Sequence, residues 1–139
     1  MPLEKKPGQH TLAEIVNQPN AWAETITLVE ARSESLLRLA AGVDEVVFTG
    51  CGSALNVSTA VAPTFQHITG IKARAVPAAE VVFFPETVFA SDGAYLVVLI
   101  SRSGDTTETV MACEAVQARA MKTLSITCYP ESRLAQATD

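Results

Sequence analysis

The sequence has 139 residues, of which 48% are hydrophobic and 18% are charged, and its 10 basic and 15 acidic side chains give a formal net charge of −5. A chain of this length suits a single domain, and its hydrophobic content is too high for an intrinsically disordered protein. The acidic balance, without any cluster of Lys or Arg, argues against a nucleic-acid partner, because such surfaces neutralise phosphates with basic side chains.

The N-terminal part of the chain, up to residue 42, predicts a polar arm followed by two helices. Residues 1–10 are polar and contain two prolines, which is typical of an arm. Thr11 and Glu14 have the spacing of a capping box, so a short helix should begin at Thr11 and end before Pro19. The apolar residues of Asn20–Ala41 fall roughly on one face, which predicts a second helix.

The remaining residues, 43–139, alternate between apolar strands and helix-compatible segments and form the main predicted domain. The expected strands are Glu45–Thr49, Ile71–Val76, Tyr95–Ile100 and Thr123–Cys128, and the expected helices are Ala54–Ile68, Ala78–Phe84, Thr106–Met121 and Glu131–Ala137. This alternation predicts an α/β, three-layer, flavodoxin-like sandwich, in which a parallel sheet carries helices on both faces. Because Asp139 directly follows a helix, where a further strand is expected, we expect this domain to be incomplete at its C-terminal end.

Several classes of protein are excluded by other features. The longest apolar run, Tyr95–Ile100, is far too short to cross a bilayer, and the N-terminal residues lack the apolar core of a signal peptide. The three cysteines have neither metal-binding nor disulfide spacing, and no motif indicates a metal or another cofactor. We therefore expect a cytoplasmic protein with no membrane segment, no metal and no cofactor.

The loop after the most hydrophobic strand has the composition of a phosphate-binding loop. Ser101, Ser103 and Thr106 bring hydroxyl groups, and Gly104 allows the backbone amides to converge. The following helix offers its amino end, which favours an anion, and Arg102 could add a charge-assisted hydrogen bond.

Asp105 is the residue in this loop that disagrees with a bound phosphate, because a carboxylate repels an anion. It could instead serve as a helix N-cap or as a first-turn acid. The alternative interpretation of the whole loop is ordinary turn-and-cap chemistry between a strand and a helix.

A second glycine-containing loop follows the first strand. Gly50, Gly52 and Ser53 resemble part of a nucleotide-binding loop, but Ala54 and Leu55 stand where a dinucleotide fingerprint would continue. No Gly-Lys-Ser/Thr sequence is present either, so a nucleotide-binding Rossmann domain is the least favoured interpretation.

These segments resemble the SIS (sugar isomerase) domain. Residues 46–53 are similar to the first strand and Gly-x-Gly-Ser loop of that family, residues 100–109 to its Ser-x-Ser-Gly-Glu/Asp-Thr signature, and residues 126–139 to its next strand and helix. Glu14, Gln18-Pro19 and Trp22 are similar to the leader of the double-SIS proteins. Those proteins comprise the tagatose-6-phosphate ketose/aldose isomerase (AgaS-like) group and the isomerase part of glucosamine-fructose-6-phosphate aminotransferase.

The resemblance implies a binding site for a hexose or amino-hexose phosphate. It implies that Ser101, Ser103 and Thr106 hold the phosphate, with help from Ser53. The neighbouring Gly52, Gly104 and Arg102 belong to the same implied site. Two departures are Ala54, where many members carry Ser, and Arg102, where the aminotransferases carry Gln.

Catalytic residues are not identified by the sequence. Isomerisation needs a positioned acid or base near the first two sugar carbons, and Glu80 and Glu108 are the candidates present. Glu108 is also explained as a first-turn acid that complements a helix dipole, and Glu80 as a capping or ligand-orienting residue. His67 suits the C-terminal end of a helix, and Cys51 is expected to be a small buried residue rather than a nucleophile.

The resulting hypothesis is a phosphosugar-binding SIS domain from an aldose/ketose isomerase or an amino-sugar-phosphate deaminase. The alternatives are a non-catalytic regulatory module that binds sugar phosphates and a structural half of a dimer. We expect a homodimer, in which Phe83, Phe84 and Phe89 cover a flank or join a subunit contact. Cys113 and Cys128 are expected to face the core.

Overall fold

The computed structural model of this chain describes residues 7–90 and 92–138. The chain divides into two compact units, residues 1–38 and residues 39–139. The predicted N-terminal arm falls partly on residues 1–6, and the prediction for Asp139 likewise lies outside the described residues. No helix in the described ranges is both long and apolar enough to cross a membrane.

The first unit contains a long helix, α1 (Gln9–Ala31), followed by α2 (Ser33–Ala40), which extends into the second unit. The predicted capping box is wrong, because α1 begins after Gly8 and Thr11 lies inside its first turn. The predicted break at Pro19 is also wrong, since α1 continues through it. Every residue of α1 is exposed, so the carbonyl group that Pro19 leaves without a donor can be hydrated.

The second unit is built on a four-stranded parallel sheet, which confirms the predicted fold class. Its strands are β1 (Glu45–Gly50), β2 (Lys72–Pro77), β3 (Tyr95–Ile100) and β4 (Lys122–Ile126). They lie in the order β2-β1-β3-β4, so β1 is hydrogen-bonded to both β2 and β3. All six residues of β3 are buried, as expected for a strand inside a parallel sheet.

Five further helices lie in the described part of this unit. They are α3 (Ser53–Thr69), α4 (Ala78–Phe83), α5 (Pro85–Val88), α6 (Thr107–Gln117) and α7 (Arg133–Ala137). Most agree with the predicted segments to within two residues. The exceptions are α6, which ends four residues early, and α5, which was not predicted because Pro85 starts a short helix there rather than only ending α4.

Alternating strand residues supply two apolar cores, one on each face of the sheet. One core joins Phe48, Val98 and neighbouring strand residues to α3, and the other joins Val97 and Leu99 to α4, α6 and α7. Each fully buried aliphatic side chain contributes about 1.5–3 kcal/mol relative to exposure. These two cores hold the carboxyl ends of β1 and β3 in fixed register.

Three side chains at the edges of the cores test the predicted packing. Cys113 is fully buried, as expected, whereas Cys128 is exposed because β4 ends at Ile126 and leaves it in a loop. Phe89 is not on an exposed flank: it is buried, and its ring packs edge-on against that of Tyr95, with ring centroids 5.1 Å apart. Phe83 is exposed, in agreement with the prediction for that residue.

Candidate functional site

The structure brings the two predicted loops together at the carboxyl ends of adjacent strands. The first loop (residues 49–53) runs from the end of β1 into α3, and the second loop (residues 101–107) runs from the end of β3 into α6. From β1 the chain leaves by α3 on one face of the sheet, and from β3 it leaves by α6 on the other face. Ligands of open α/β sheets bind at such a switch point, where the strand order reverses.

Gly50 permits the close approach of the two loops. A Cβ atom at this position would lie 2.8 Å from the carbonyl oxygen of Ile100 and 2.9 Å from the Cβ atom of Ala54. At the next residue of the first loop, the Sγ atom of Cys51 accepts a hydrogen bond from the hydroxyl of Thr109 on α6, at 3.8 Å. A glycine with a small neighbour at position 54 therefore packs α3 closely against the end of β3.

The second loop is folded around the hydroxyl of Ser101. This side chain is only 2% exposed, and its Oγ atom accepts a hydrogen bond from the Gly104 amide at 3.1 Å. The same oxygen lies 3.0 Å from the Oγ1 atom of Thr106. Ser101 is thus placed to shape the loop from within.

Several hydrogen-bond donors of the second loop remain open. Ser103 is exposed and Thr106 is half-buried, and α6 begins immediately afterwards at Thr107. Within the described ranges, the backbone amides of Arg102, Ser103, Thr106 and Thr107 donate to no acceptor. Unpaired amides at the amino end of an eleven-residue helix are suited to an anion.

Asp105 does not cap α6 but faces the start of another helix. Its Oδ1 atom accepts a hydrogen bond from the backbone amide of Arg133, the first residue of α7, at 3.1 Å. The Leu134 amide donates to the carbonyl oxygen of Gly104 at 3.0 Å. The predicted role as a cap of α6 is therefore wrong; Asp105 instead accepts from the first amide of α7, a contact that no local sequence pattern indicates.

The first loop is open above its second glycine. Gly52 has a φ of +56°, and a Cβ atom there would meet nothing within 4 Å. Ser53, the first residue of α3, is exposed, and its hydroxyl has no partner among the described residues. Cys51 is half-buried, so the expectation of a buried residue is met only in part.

The candidate acids lie near this edge of the sheet without fixed contacts. Glu80 is in the first turn of α4, and Glu108 is in the first turn of α6. Both are exposed, and neither carboxylate makes an ion pair or hydrogen bond in the part of the chain that the structure describes. His67 lies in the last turn of α3, where a basic side chain complements the helix dipole.

One buried polar group was missed by the sequence analysis. The Thr49 side chain is fully buried at the end of β1, and its Oγ1 atom has no hydrogen-bond partner among the described residues. Alternation along β1 places it on the α6 side of the sheet, as with Val47. A polar residue at an inward position of an otherwise apolar strand is the signal that could have identified it.

A cleft of about 710 Å³ lies at the opposite, amino-terminal end of the strands. Its cationic groups are already engaged: Lys122 donates to the carbonyl oxygens of Leu39 and Ala41, and Arg119 pairs with Glu86 at 3.1 Å. The open donors of the two loops make the carboxyl edge the better candidate site. Over the described ranges, no group of three or more His, Cys, Asp or Glu side chains could hold a metal ion.

Comparisons with known proteins agree with this architecture. The model of the SIS domain family matches residues 41–139. An AgaS protein of Streptomyces coelicolor, named provisionally as a D-galactosamine-6-phosphate deaminase, is 33% identical over 134 residues, which cover 91% of this chain and 35% of that protein.

Two solved structures have the same fold. The tagatose-6-phosphate ketose/aldose isomerase of Escherichia coli superposes with a TM-score of 0.83 at 27% identity, over 93% of this chain and 37% of that one. The glucosamine-6-phosphate deaminase of Thermotoga maritima superposes with a TM-score of 0.73 at 33% identity, over 93% of this chain and 38% of that one. The chain thus spans little more than a third of each of these relatives. With its parallel sheet, its two loops at the switch point and a family match over most of its length, the chain belongs to the SIS domain family.

Proposed function

We propose that this chain binds the phosphate group of a hexose phosphate or amino-hexose phosphate between the first and second loops. The observation that carries the proposal is the set of open amides and hydroxyls at the start of α6, directly beside the open first loop. Ser103 and Thr106 donate from their hydroxyls, and Gly52 and Ser53 close the site from the side of β1. Such donors, together with the helix dipole, favour a dianionic group.

The other predicted residues have supporting roles in this proposal. Ser101 and Gly104 hold the shape of the second loop, as their mutual hydrogen bond indicates. Arg102 is exposed, and its guanidinium has no partner among the described residues, so it is available for a charge-assisted bond to the ligand. Because the chain carries a net charge of −5, a local cation would help to attract an anionic substrate.

We propose that the parent activity is aldose/ketose isomerisation or the related deamination of an amino-sugar phosphate. The names of the relatives include both reactions, on phosphorylated hexoses and amino-hexoses. Either reaction moves a proton between neighbouring sugar carbons and needs an acid or base close to them. Glu80 and Glu108 are the candidates within this chain, and no metal or other cofactor is invoked.

A non-catalytic role is the second candidate, either as a regulatory module that binds sugar phosphates or as a structural half of a dimer. The specific observation in its favour is the exposure of Glu80 and Glu108, neither of whose carboxylates is held by a hydrogen bond or an ion pair within the described ranges. An acid without an orienting contact is a poor proton-transfer group. Binding without turnover would therefore favour the regulatory alternative.

We also propose that the protein is a cytoplasmic homodimer, with an N-terminal helical segment (residues 1–42) and an SIS domain from residue 43. The cysteines form no disulfide within the described ranges, which is typical of a reducing compartment. Dimerisation would cover exposed apolar side chains that recur along α1 with helical periodicity, namely Leu12, Ile15, Trp22, Ile26 and Val29.

Isothermal titration with phosphorylated sugars tests the binding proposal. Wild type is titrated with fructose-6-phosphate, tagatose-6-phosphate, glucosamine-6-phosphate and galactosamine-6-phosphate, and with the same sugars lacking phosphate. We expect binding only of phosphorylated forms, and at least about tenfold weaker binding by Ser103→Ala. Ser35→Ala removes an exposed hydroxyl on α2 that accepts a hydrogen bond from Arg38, and it should bind as wild type does. Equal affinity for free and phosphorylated sugars would contradict the proposal.

A further inference from the structure

We propose that Asp105 is a positioning residue, whose carboxylate ties the second loop to the start of α7 and so sets the direction of the open amides before α6. This inference rests on the proposed phosphate site and names a residue that controls it without touching the ligand. Asp105 is exposed and lies between Gly104 and Thr106, the two loop residues that contact the Ser101 hydroxyl.

Three contacts join this part of the loop to α7. The Asp105 Oδ1 atom accepts from the Arg133 amide at 3.1 Å, and the Gly104 carbonyl oxygen accepts from the Leu134 amide at 3.0 Å. Gly104 also packs so closely on Ser132 that a Cβ atom would lie 2.0 Å from the Ser132 Oγ atom. Adjacent residues of the loop thus contact three successive residues at the start of α7.

The helix α7 is itself anchored to the sheet, so it can serve as a fixed reference. The hydroxyl of Thr138, which follows α7, lies 2.8 Å from that of Ser125 on β4. Gln117, the last residue of α6, donates to the Ala137 carbonyl oxygen. Asp105 is therefore bonded to α7, and α7 is bonded to β4 and α6. These contacts hold the second loop in addition to its covalent connection to β3.

The negative charge of Asp105 makes it possible to distinguish a positioning role from direct contact with the phosphate. A carboxylate near a bound phosphate costs affinity through repulsion, whereas the hydrogen bond to Arg133 needs only an acceptor oxygen. Asp105→Asn keeps that acceptor and removes the charge. Asp105→Ala removes both. If Asp105 acts by positioning, the Asn variant should bind phosphate as well as wild type or better, and the Ala variant should bind it worse.

Titration of four proteins with D-galactosamine-6-phosphate and D-tagatose-6-phosphate, in a phosphate-free buffer, tests this role. The proteins are wild type, Asp105→Asn, Asp105→Ala and the control Glu114→Ala. Glu114 is an exposed acid on α6 whose carboxylate makes no hydrogen bond or ion pair among the described residues. For the sugar phosphate that wild type binds, we expect Asp105→Ala to bind about tenfold more weakly. Asp105→Asn and Glu114→Ala should bind at least as tightly as wild type.

Amide hydrogen exchange provides a readout that needs no ligand. We expect faster exchange at Arg133 and Leu134 in Asp105→Ala, and wild-type exchange at both amides in Asp105→Asn, because its side-chain oxygen still accepts. Unchanged exchange in Asp105→Ala would overturn the proposed tie to α7.

The possible failures are distinguishable. If wild type binds neither sugar phosphate, the proposed function fails. If wild type binds but Asp105→Ala has the same affinity, the positioning role fails while the proposed function stands. Equal losses in Asp105→Asn and Asp105→Ala would also overturn the positioning role, because they would mean that the charge, not the acceptor oxygen, matters.

Discussion

Replacement of Gly104 by alanine tests the packing of the second loop most directly. Gly104 has a φ of +69°, and a Cβ atom would lie 2.0 Å from the Oγ atom and 2.4 Å from the Cβ atom of Ser132, and 2.9 Å from the Thr127 Oγ1 atom. Ser132 is buried and caps α7, so it cannot move away freely. Gly104→Ala should therefore destabilise the protein through both backbone strain and overpacking.

The size of the effect follows from these two contributions. A left-handed backbone costs about 1–2 kcal/mol for a residue with a Cβ atom, and overpacking costs about 1–3 kcal/mol. The expected loss for Gly104→Ala is thus about 2–5 kcal/mol in the free energy of unfolding. Gly70→Ala is the matched control, because Gly70 has a φ of +73° with nothing within 4 Å of the added Cβ atom. It should lose only the backbone contribution, about 1–2 kcal/mol.

Urea denaturation followed by far-UV circular dichroism measures both variants. Fluorescence is less suitable, because the one tryptophan, Trp22, lies on α1 in the first unit. Adding Ser132→Gly to Gly104→Ala removes the two shortest contacts, so the double variant should recover at least about 1 kcal/mol relative to additivity. A Gly104→Ala variant no less stable than Gly70→Ala would refute overpacking against Ser132.

Two other substitutions, and one control, address the close approach of the loops and the packing of the core. Gly50→Ala places a Cβ atom 2.8 Å from the Ile100 carbonyl oxygen on β3 and 2.9 Å from the Ala54 Cβ atom on α3, and should cost about 1–3 kcal/mol in urea denaturation; wild-type stability would show that β3 and α3 can both shift without cost. Phe89→Leu removes a buried edge-on contact with Tyr95 and should cost about 1–2 kcal/mol, whereas Phe83→Leu, at an exposed site, should change stability by less than about 0.5 kcal/mol. Equal thermal shifts for the two Phe variants would contradict the difference in burial.

The positions of the strands could be predicted from the sequence because their signals are local. Tyr95–Ile100 is an unbroken apolar run and forms β3 with those bounds, since a fully buried parallel strand needs apolar residues on both faces. The strand–helix alternation also predicts that Gly52 and Ser103 lie at one edge of the sheet. That placement follows from the parallel direction of the strands, because the carboxyl ends of parallel strands lie at the same edge of a sheet.

Other features were decided by contacts that no local pattern contains. Pro19 does not end α1, because a helix with every side chain exposed can hydrate the carbonyl group that proline leaves unpaired. The sequence predicts Cys128 in the core, but it is exposed because β4 ends before it, at Ile126. The sequence predicts Phe89 on an exposed flank, but it is buried because its ring packs against that of Tyr95.

For the candidate site, too, some features follow from the sequence and others only from the tertiary structure. Its composition of Ser, Gly and Thr predicts anion binding from the sequence alone, because hydroxyls, a flexible turn and a helix amino end are local properties. The separate roles of its members could not be predicted in this way. Ser101 is enclosed by its own loop, and Asp105 turns to α7, twenty-eight positions away in the chain. The direction of a side chain depends on the partner that the fold brings to it, and only the tertiary structure determines that partner.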